Sequence, residues 1–212
     1  MGISMNNVLD NILGRMEEAQ KNNRRLLLVI DGKCGSGKTT LSERLGERYG
    51  CNVFHIDDFY LPIIMQTHEV MKEPGGNINY DRFIAEIMAP LTADSTVVYR
   101  PFLCMEQEYA PGVSLKKTGV NVIEGTYSCH PVLREIYAKL TGWEVITLFM
   151  DIDDRNQRDR VRGRVGELRF KLFEDKWIPR ERDYFSAYSV REYCDYSISG
   201  MDDSISFLRE DW

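Results

Sequence analysis

Apolar and polar positions along this chain change period from block to block. Val8, Leu9, Ile12, Leu13 and Met16 recur at helical spacing, which predicts an amphipathic helix over residues 8–21. Residues 25–31 are almost wholly apolar, as in a parallel strand covered on both faces. Leu41, Leu45 and Tyr49 form the next helical stripe, with Gly50 placed to end it. A second strand is expected over 51–56. Residues 61–80 lose periodicity and contain Pro62, Pro74, Gly75 and Gly76, the composition of a loop rather than a domain linker. Asp81 can cap a helix bearing Phe83, Ile84, Ile87 and Met88, stopped near Pro90. A strand is predicted over 95–100, an irregular stretch over 101–118, and buried strands over 120–124 and 143–150. Between those two, Pro131 opens a helix with Leu133, Ile136, Tyr137 and Leu140 facing inward. Charged helix over 154–177, a short helix near 181–188 and a strand over 196–199 complete the pattern. Strands alternating with helices specify an α/β fold with a parallel sheet, whose ligands bind beyond the carboxyl ends of its strands.

Composition narrows the function classes. The 212 residues fit one domain, 1–212, with its N-terminal helix inside 1–24 and a lid region at about 154–178. A net charge of −6 argues against general nucleic-acid or membrane-surface binding. The five cysteines (Cys34, Cys51, Cys104, Cys129, Cys194) are scattered without a C-x-x-C pair, which disfavours a disulfide framework or zinc site. With no secretory pattern at the N-terminus and no apolar run of membrane-spanning length, a cytoplasmic location is expected.

The chemistry concentrates where the first strand ends. Gly32-Lys33-Cys34-Gly35-Ser36-Gly37-Lys38-Thr39 matches G-x-x-x-x-G-K-[ST], followed by Thr40. The glycines let successive N–H groups converge on an anion, and the N-terminus of the following helix adds partial positive charge. Lys38 can reach the outer phosphates of a nucleotide, and the Thr39 hydroxyl can ligate Mg²⁺. A Gly-rich turn alone is the simpler alternative, but the strand before and the helix after favour phosphate binding.

Three further polar clusters fall at strand ends on the same edge. Asp57 and Asp58 follow the second strand; a carboxylate there can orient a hydroxyl and accept its proton, Asp57 being the choice for that role. Glu124, after Asn121-Val122-Ile123, can hold Mg²⁺ or its water. The third cluster is basic, Arg155 through Arg164. There Arg160 and Arg164 lie four apart on one helix face and can close on a triphosphate, with Gly163 and Gly166 permitting lid motion. Aspartates also cap turns, and charged helices are commonly solvated faces, so each assignment leans on the nearby phosphate loop. Tyr60, Tyr80, Tyr99 and Phe102 fall in regions expected to border an acceptor pocket. His55, His68 and His130 lack metal-ligand spacing, and His130 before Pro131 reads as a helix start.

With these residues in place, the sequence resembles the phosphoribulokinase/uridine kinase family, and its uridine kinase branch most closely. The resemblance spans residues 25–199 and rests on Ile30 through Thr40, Asp57-Asp58-Phe59-Tyr60, Val122-Ile123-Glu124-Gly125, and Arg160 with Arg164. It implies a P-loop NTPase three-layer sandwich with a parallel sheet and a helical lid. It also implies ATP and Mg²⁺, with Asp57 as base, Glu124 and Thr39 serving the metal, lid arginines on phosphate, and an aromatic residue from Tyr99-Arg100-Pro101-Phe102 against a base. Cys104-Met105-Glu106-Gln107 stand where characterised uridine kinases carry a histidine, and Gly75-Gly76-Asn77-Ile78-Asn79-Tyr80 alters the loop before the substrate helix. The expected function is ATP-dependent phosphorylation of a small metabolite, foremost the 5′-hydroxyl of a nucleoside such as uridine or cytidine. Pantothenate or ribosyl-nicotinamide as acceptor, and a nucleotide-binding module without catalysis, remain open. A GTPase is disfavoured: N-K-x-D is missing, and Glu124-Gly125 replaces D-x-x-G. The partners expected are ATP and a small acceptor, with self-association left open.

Overall fold

A computed structural model of the chain describes residues 5–199; the ends of the 1–212 domain assignment lie outside them. Five parallel strands form one sheet in the order Asn52–His55, Val120–Glu124, Arg25–Gly32, Trp143–Asp151, Tyr196–Ser199. The Arg25–Gly32 strand is central because its residues are apolar on both faces. Leu26, Leu28 and Ile30 pack with the helices Met5–Lys21 and Lys38–Tyr49. Leu27 and Val29 pack on the other face with Phe83, Ile87, Leu133 and Tyr184. Helices on both faces give three layers, as expected. Each fully buried aliphatic side chain contributes about 1.5–3 kcal/mol, so the two apolar layers hold the strand ends in fixed register.

That register builds the site. Ile30 pairs with Glu124, and His55 pairs with Glu124 from the other side, so three strands present their carboxyl ends together. Two glycines make the exits. Gly32 has φ +139, and a Cβ on it would lie 2.0 Å from the Met150 carbonyl oxygen. Gly125 has φ +131, and its Cβ would meet Ile56 Cγ2 at 2.5 Å. Only glycine lets these chains turn so close to a neighbouring strand.

Five local expectations need correction. The helix after the 61–80 loop is capped by Asn79, whose side chain accepts from the Arg82 N–H at 3.1 Å, rather than by Asp81. It does not stop at Pro90. A wide turn over Ile84–Met88 pairs the Ala89 N–H with the Ile84 carbonyl, and the helix resumes as Ala89–Thr92. The same device recurs before Pro179, between the helices expected over 154–177 and near 181–188: Phe173–Trp177 forms a wide turn, the Ile178 N–H bonds the Phe173 carbonyl, and Ile178–Tyr188 continues. Each proline thus falls in the first turn after the wide segment, where it is tolerated. The 95–100 strand shortens to Val97–Tyr99 and pairs with Val113–Leu115 outside the main sheet. Beside it, Phe102–Leu103 pairs with Glu108–Tyr109, so the stretch expected to be irregular holds one small hairpin and the strand that partners Val97–Tyr99. No helix among the described residues is long and apolar enough to cross a membrane.

Candidate active site

The phosphate loop runs from Lys33 to Gly37 and feeds the helix Lys38–Tyr49, which starts on Gly37 in the left-handed conformation, φ 97, with no side-chain cap. Its first N–H groups are therefore left for an anion. Lys38 is folded back, its Nζ donating to the carbonyls of Gly32 at 2.8 Å and Lys33 at 2.9 Å. Burial and then Glu181 push the Cys34 thiol up to about 12, which disfavours a thiolate there.

Beneath the loop, Asp31 is fully buried and collects four donors. The N–H groups of Gly32 (2.6 Å), Cys129 (2.7 Å) and Tyr127 (3.3 Å) and the Tyr184 hydroxyl (2.7 Å) all point at its carboxylate. Burial raises its pKa and these donors oppose the rise. Asp31 therefore ties the loop after Glu124 to the phosphate loop, and it holds Tyr127 at the strained φ of 87.

The two candidate metal ligands meet. The Thr39 hydroxyl donates to Glu124 Oε1 at 3.2 Å. His55 Nδ1 lies 2.5 Å from the same oxygen, and that hydrogen bond raises the His55 pKa above its ordinary value. Hard oxygen donors in this number suit Mg²⁺, which takes few protein ligands and keeps waters and phosphate oxygens.

Asp57 stands one short helical turn beyond His55, in Ile56–Phe59. It is exposed and lines the cleft, and no hydrogen bond from the described residues ties its carboxylate. Enclosure by protein, and then repulsion by Glu124, raise its pKa to about 7. Asp58 points away and accepts from the Tyr99 hydroxyl at 3.3 Å.

A cleft of about 910 Å³ joins these groups. Cys34, Gly35, Gly37, Lys38, Thr39, Thr40, Glu124 and Asp57 line it, whereas Gly32 and Ser36 are buried behind the loop. Arg160 and Arg164 reach it from the helix Asp154–Val165, Arg160 Nη1 lying 3.4 Å from the Gly35 carbonyl.

The acceptor wall differs from expectation. Tyr60 lines the cleft, 5.9 Å between ring centroids from Trp177, but Tyr80, Tyr99 and Phe102 do not. Tyr80 stacks on His130 and donates to the Gly75 carbonyl; Tyr99 stacks on Phe59; Phe102 is buried against Tyr109. These rings fill core, and burial is what selects their positions. In their place the wall holds Ile63, Cys104, Met105, Leu172, Phe173 and Trp177. His130 serves as a helix cap, its side chain accepting from the Val132 N–H. Three functional candidates escaped sequence reasoning. His55 was visible as the residue two before Asp57, Asp31 as a charge closing an apolar strand, and Glu181 was hidden in a charged run.

No protein-family model matches the sequence, and no curated protein matches it. Solved structures do share the fold. A possible uridine kinase from Bacillus stearothermophilus aligns with TM-score 0.60 at 17% identity, over 89% of this chain and 99% of that one. A protein assigned as a fructose transport system kinase from Silicibacter sp. TM1040 gives 0.62 at 20%, over 93% and 100%. D-glycerate 3-kinase from Cryptococcus neoformans var. grubii gives 0.52 at 13%, over 84% and 88%. The chain therefore has the α/β P-loop fold of uridine kinase-like small-molecule kinases.

Proposed function

We propose that this protein transfers the terminal phosphoryl group of ATP to a hydroxyl of a small metabolite, foremost the 5′-hydroxyl of a nucleoside. The observation that carries the reading is a free carboxylate across one cleft from a phosphate loop. Asp57 has no hydrogen bond among the described residues and a pKa raised to about 7, while Lys38 and the uncapped helix start face the same space. A base with its pKa near neutral is matched to accepting a hydroxyl proton as the new P–O bond forms. Lys38 and the loop N–H groups hold the phosphates, and Arg160 and Arg164 stabilise charge on the transferring group. Thr39 and Glu124 would hold Mg²⁺, which when bound neutralises phosphate charge. The Tyr60 and Trp177 rings and the apolar wall at Ile63, Met105 and Leu172 favour an acceptor with a planar or apolar part.

The test is an ATP-consumption screen of nucleosides, polyols and vitamins against the purified chain, with the product identified by phosphorus NMR. Turnover with uridine or cytidine above other alcohols is expected. Turnover confined to a non-nucleoside alcohol would replace the acceptor, and nucleotide binding with no turnover on any alcohol would reject the kinase reading.

A further inference from the structure

The charges left over in the cleft point to a specificity residue. Glu181 sits on the helix Ile178–Tyr188, is only 5% exposed, and still lines the cleft with Asp57, Tyr60 and Tyr127. One of its oxygens, Oε2, accepts the Cys34 N–H at 3.1 Å and Gln157 Nε2 at 3.1 Å, and the Cys34 thiol also interacts with the carboxylate. The other, Oε1, takes no hydrogen bond from the described residues. A buried carboxylate is costly to keep beside a loop that binds a polyanion, and an amide could hold the Cys34 N–H without that charge. Glu181 and Asp57 repel across the cleft, and Glu181 Oε1 and the Asp57 carboxylate both face what lies between them. The basic groups lining the space are Lys38 in the phosphate loop and Arg160, Arg164, Arg169 and Lys176 on the lid. Lys38 acts electrostatically on Glu181 but is tied to the Gly32 and Lys33 carbonyls of the phosphate loop, and the other four lie on the lid.

We infer that Glu181 Oε1 accepts a hydrogen bond from a second hydroxyl of the acceptor, so that the site selects neutral polyhydroxylated alcohols and rejects hydroxy acids. Asp57 takes the hydroxyl that is phosphorylated, and Glu181 holds its neighbour and fixes the substrate's orientation. This rests on the kinase reading and names its substrate class.

The experiment compares the best acceptor from the screen with its monodeoxy analogues, and with glycerate, shikimate and pantothenate, in wild type, Glu181→Gln and Glu181→Ala. Wild type should lose about 10- to 100-fold in kcat/KM when the second hydroxyl is removed, the range for a hydrogen bond to a charged group. Glu181→Gln should shrink that deoxy penalty to under about 3-fold and keep the KM for ATP within about 2-fold, a split that a merely structural role would not produce. An undiminished deoxy penalty in the variants, or wild-type turnover of the hydroxy acids equal to that of the polyol, overturns the inference. Should both variants fail to fold, the wild-type deoxy series and the acid comparison still decide it. Absence of turnover on every alcohol, with Lys38-dependent nucleotide binding intact, removes the kinase reading itself and this inference with it.

Discussion

Apart from Glu124 and the lid arginines, the nucleotide side of the cleft comes from one unbroken stretch, Asp31 to Thr39, and its ligand groups there are mainly backbone N–H donors fixed by glycines. The acceptor side is assembled from Asp57 and Tyr60, Ile63, the Cys104–Met105 turn, Tyr127, the lid at Leu172–Trp177, and Glu181, all acting through side chains. Backbone recognition demands specific residues at fixed spacing, so it is written plainly in the chain. Side-chain recognition tolerates many residue types and depends on which way each one points. Two such walls should respond differently to substitution: the first in every reaction of the enzyme, the second in the choice of acceptor.

The largest effect is expected on the nucleotide side. Lys38→Ala should reduce kcat by more than about 10³-fold, since it removes the charge on the transferring phosphates. The loop should survive, because the Gly32 carbonyl keeps its bond from the Thr126 hydroxyl at 2.9 Å; circular dichroism and a near-normal Tm would check this. Next come the lid arginines. Arg160→Ala or Arg164→Ala should each lower kcat by about 10- to 100-fold, and lysine should rescue poorly for want of a two-pronged donor. Arg155→Ala should be silent, its side chain being 92% exposed and its contact with Asp159 a distant 4.0 Å. Equal losses at all three positions would make the lid a diffuse attractor rather than a positioned clamp. On the acceptor side, Trp177→Ala should raise the acceptor KM by about 2- to 10-fold and leave the KM for ATP unchanged, the scale of one aromatic contact. Phe102→Leu, outside the cleft, should change neither.

How legible the site was follows the same division. The phosphate loop, Glu124 and Asp57 could be read because a motif and strand ends fix where they lie. The Asp57–Glu124 proximity needed only parallel pairing of two strands whose ends are marked by Asp57 and Gly125. Tyr80, Tyr99 and Phe102 could not be placed, since an aromatic ring beside a strand end fills core as readily as it lines a pocket. Glu181 lies among Arg180, Arg182 and Asp183, and a charged run reads as solvent-facing; only its height on the helix turns it inward. The helix through Pro90 was cut short, and the helix near 181–188 was started late, because wide turns, which accommodate a proline, leave no distinct residue signature.

The smallest effect is on stability. Folded Asp57 keeps its proton up to about pH 7, whereas the unfolded carboxyl releases it near about pH 4. The folded state thus binds more protons across that window, and stability falls as pH rises through it. Asp57→Asn should therefore gain in Tm relative to wild type between pH 5 and pH 8 (about 4 and 7 being the limits of the window).

The most direct test of the account is the pH dependence of acceptor kcat/KM in wild type and Asp57→Asn. If Asp57 is the base, the wild-type profile falls on the acid side with a midpoint at about 7. The variant should then lose about 10²–10⁴ in kcat, with that limb abolished and nucleotide affinity unchanged. A wild-type profile flat from about pH 5.5 to 8.5, or a variant that keeps the same limb, would contradict it.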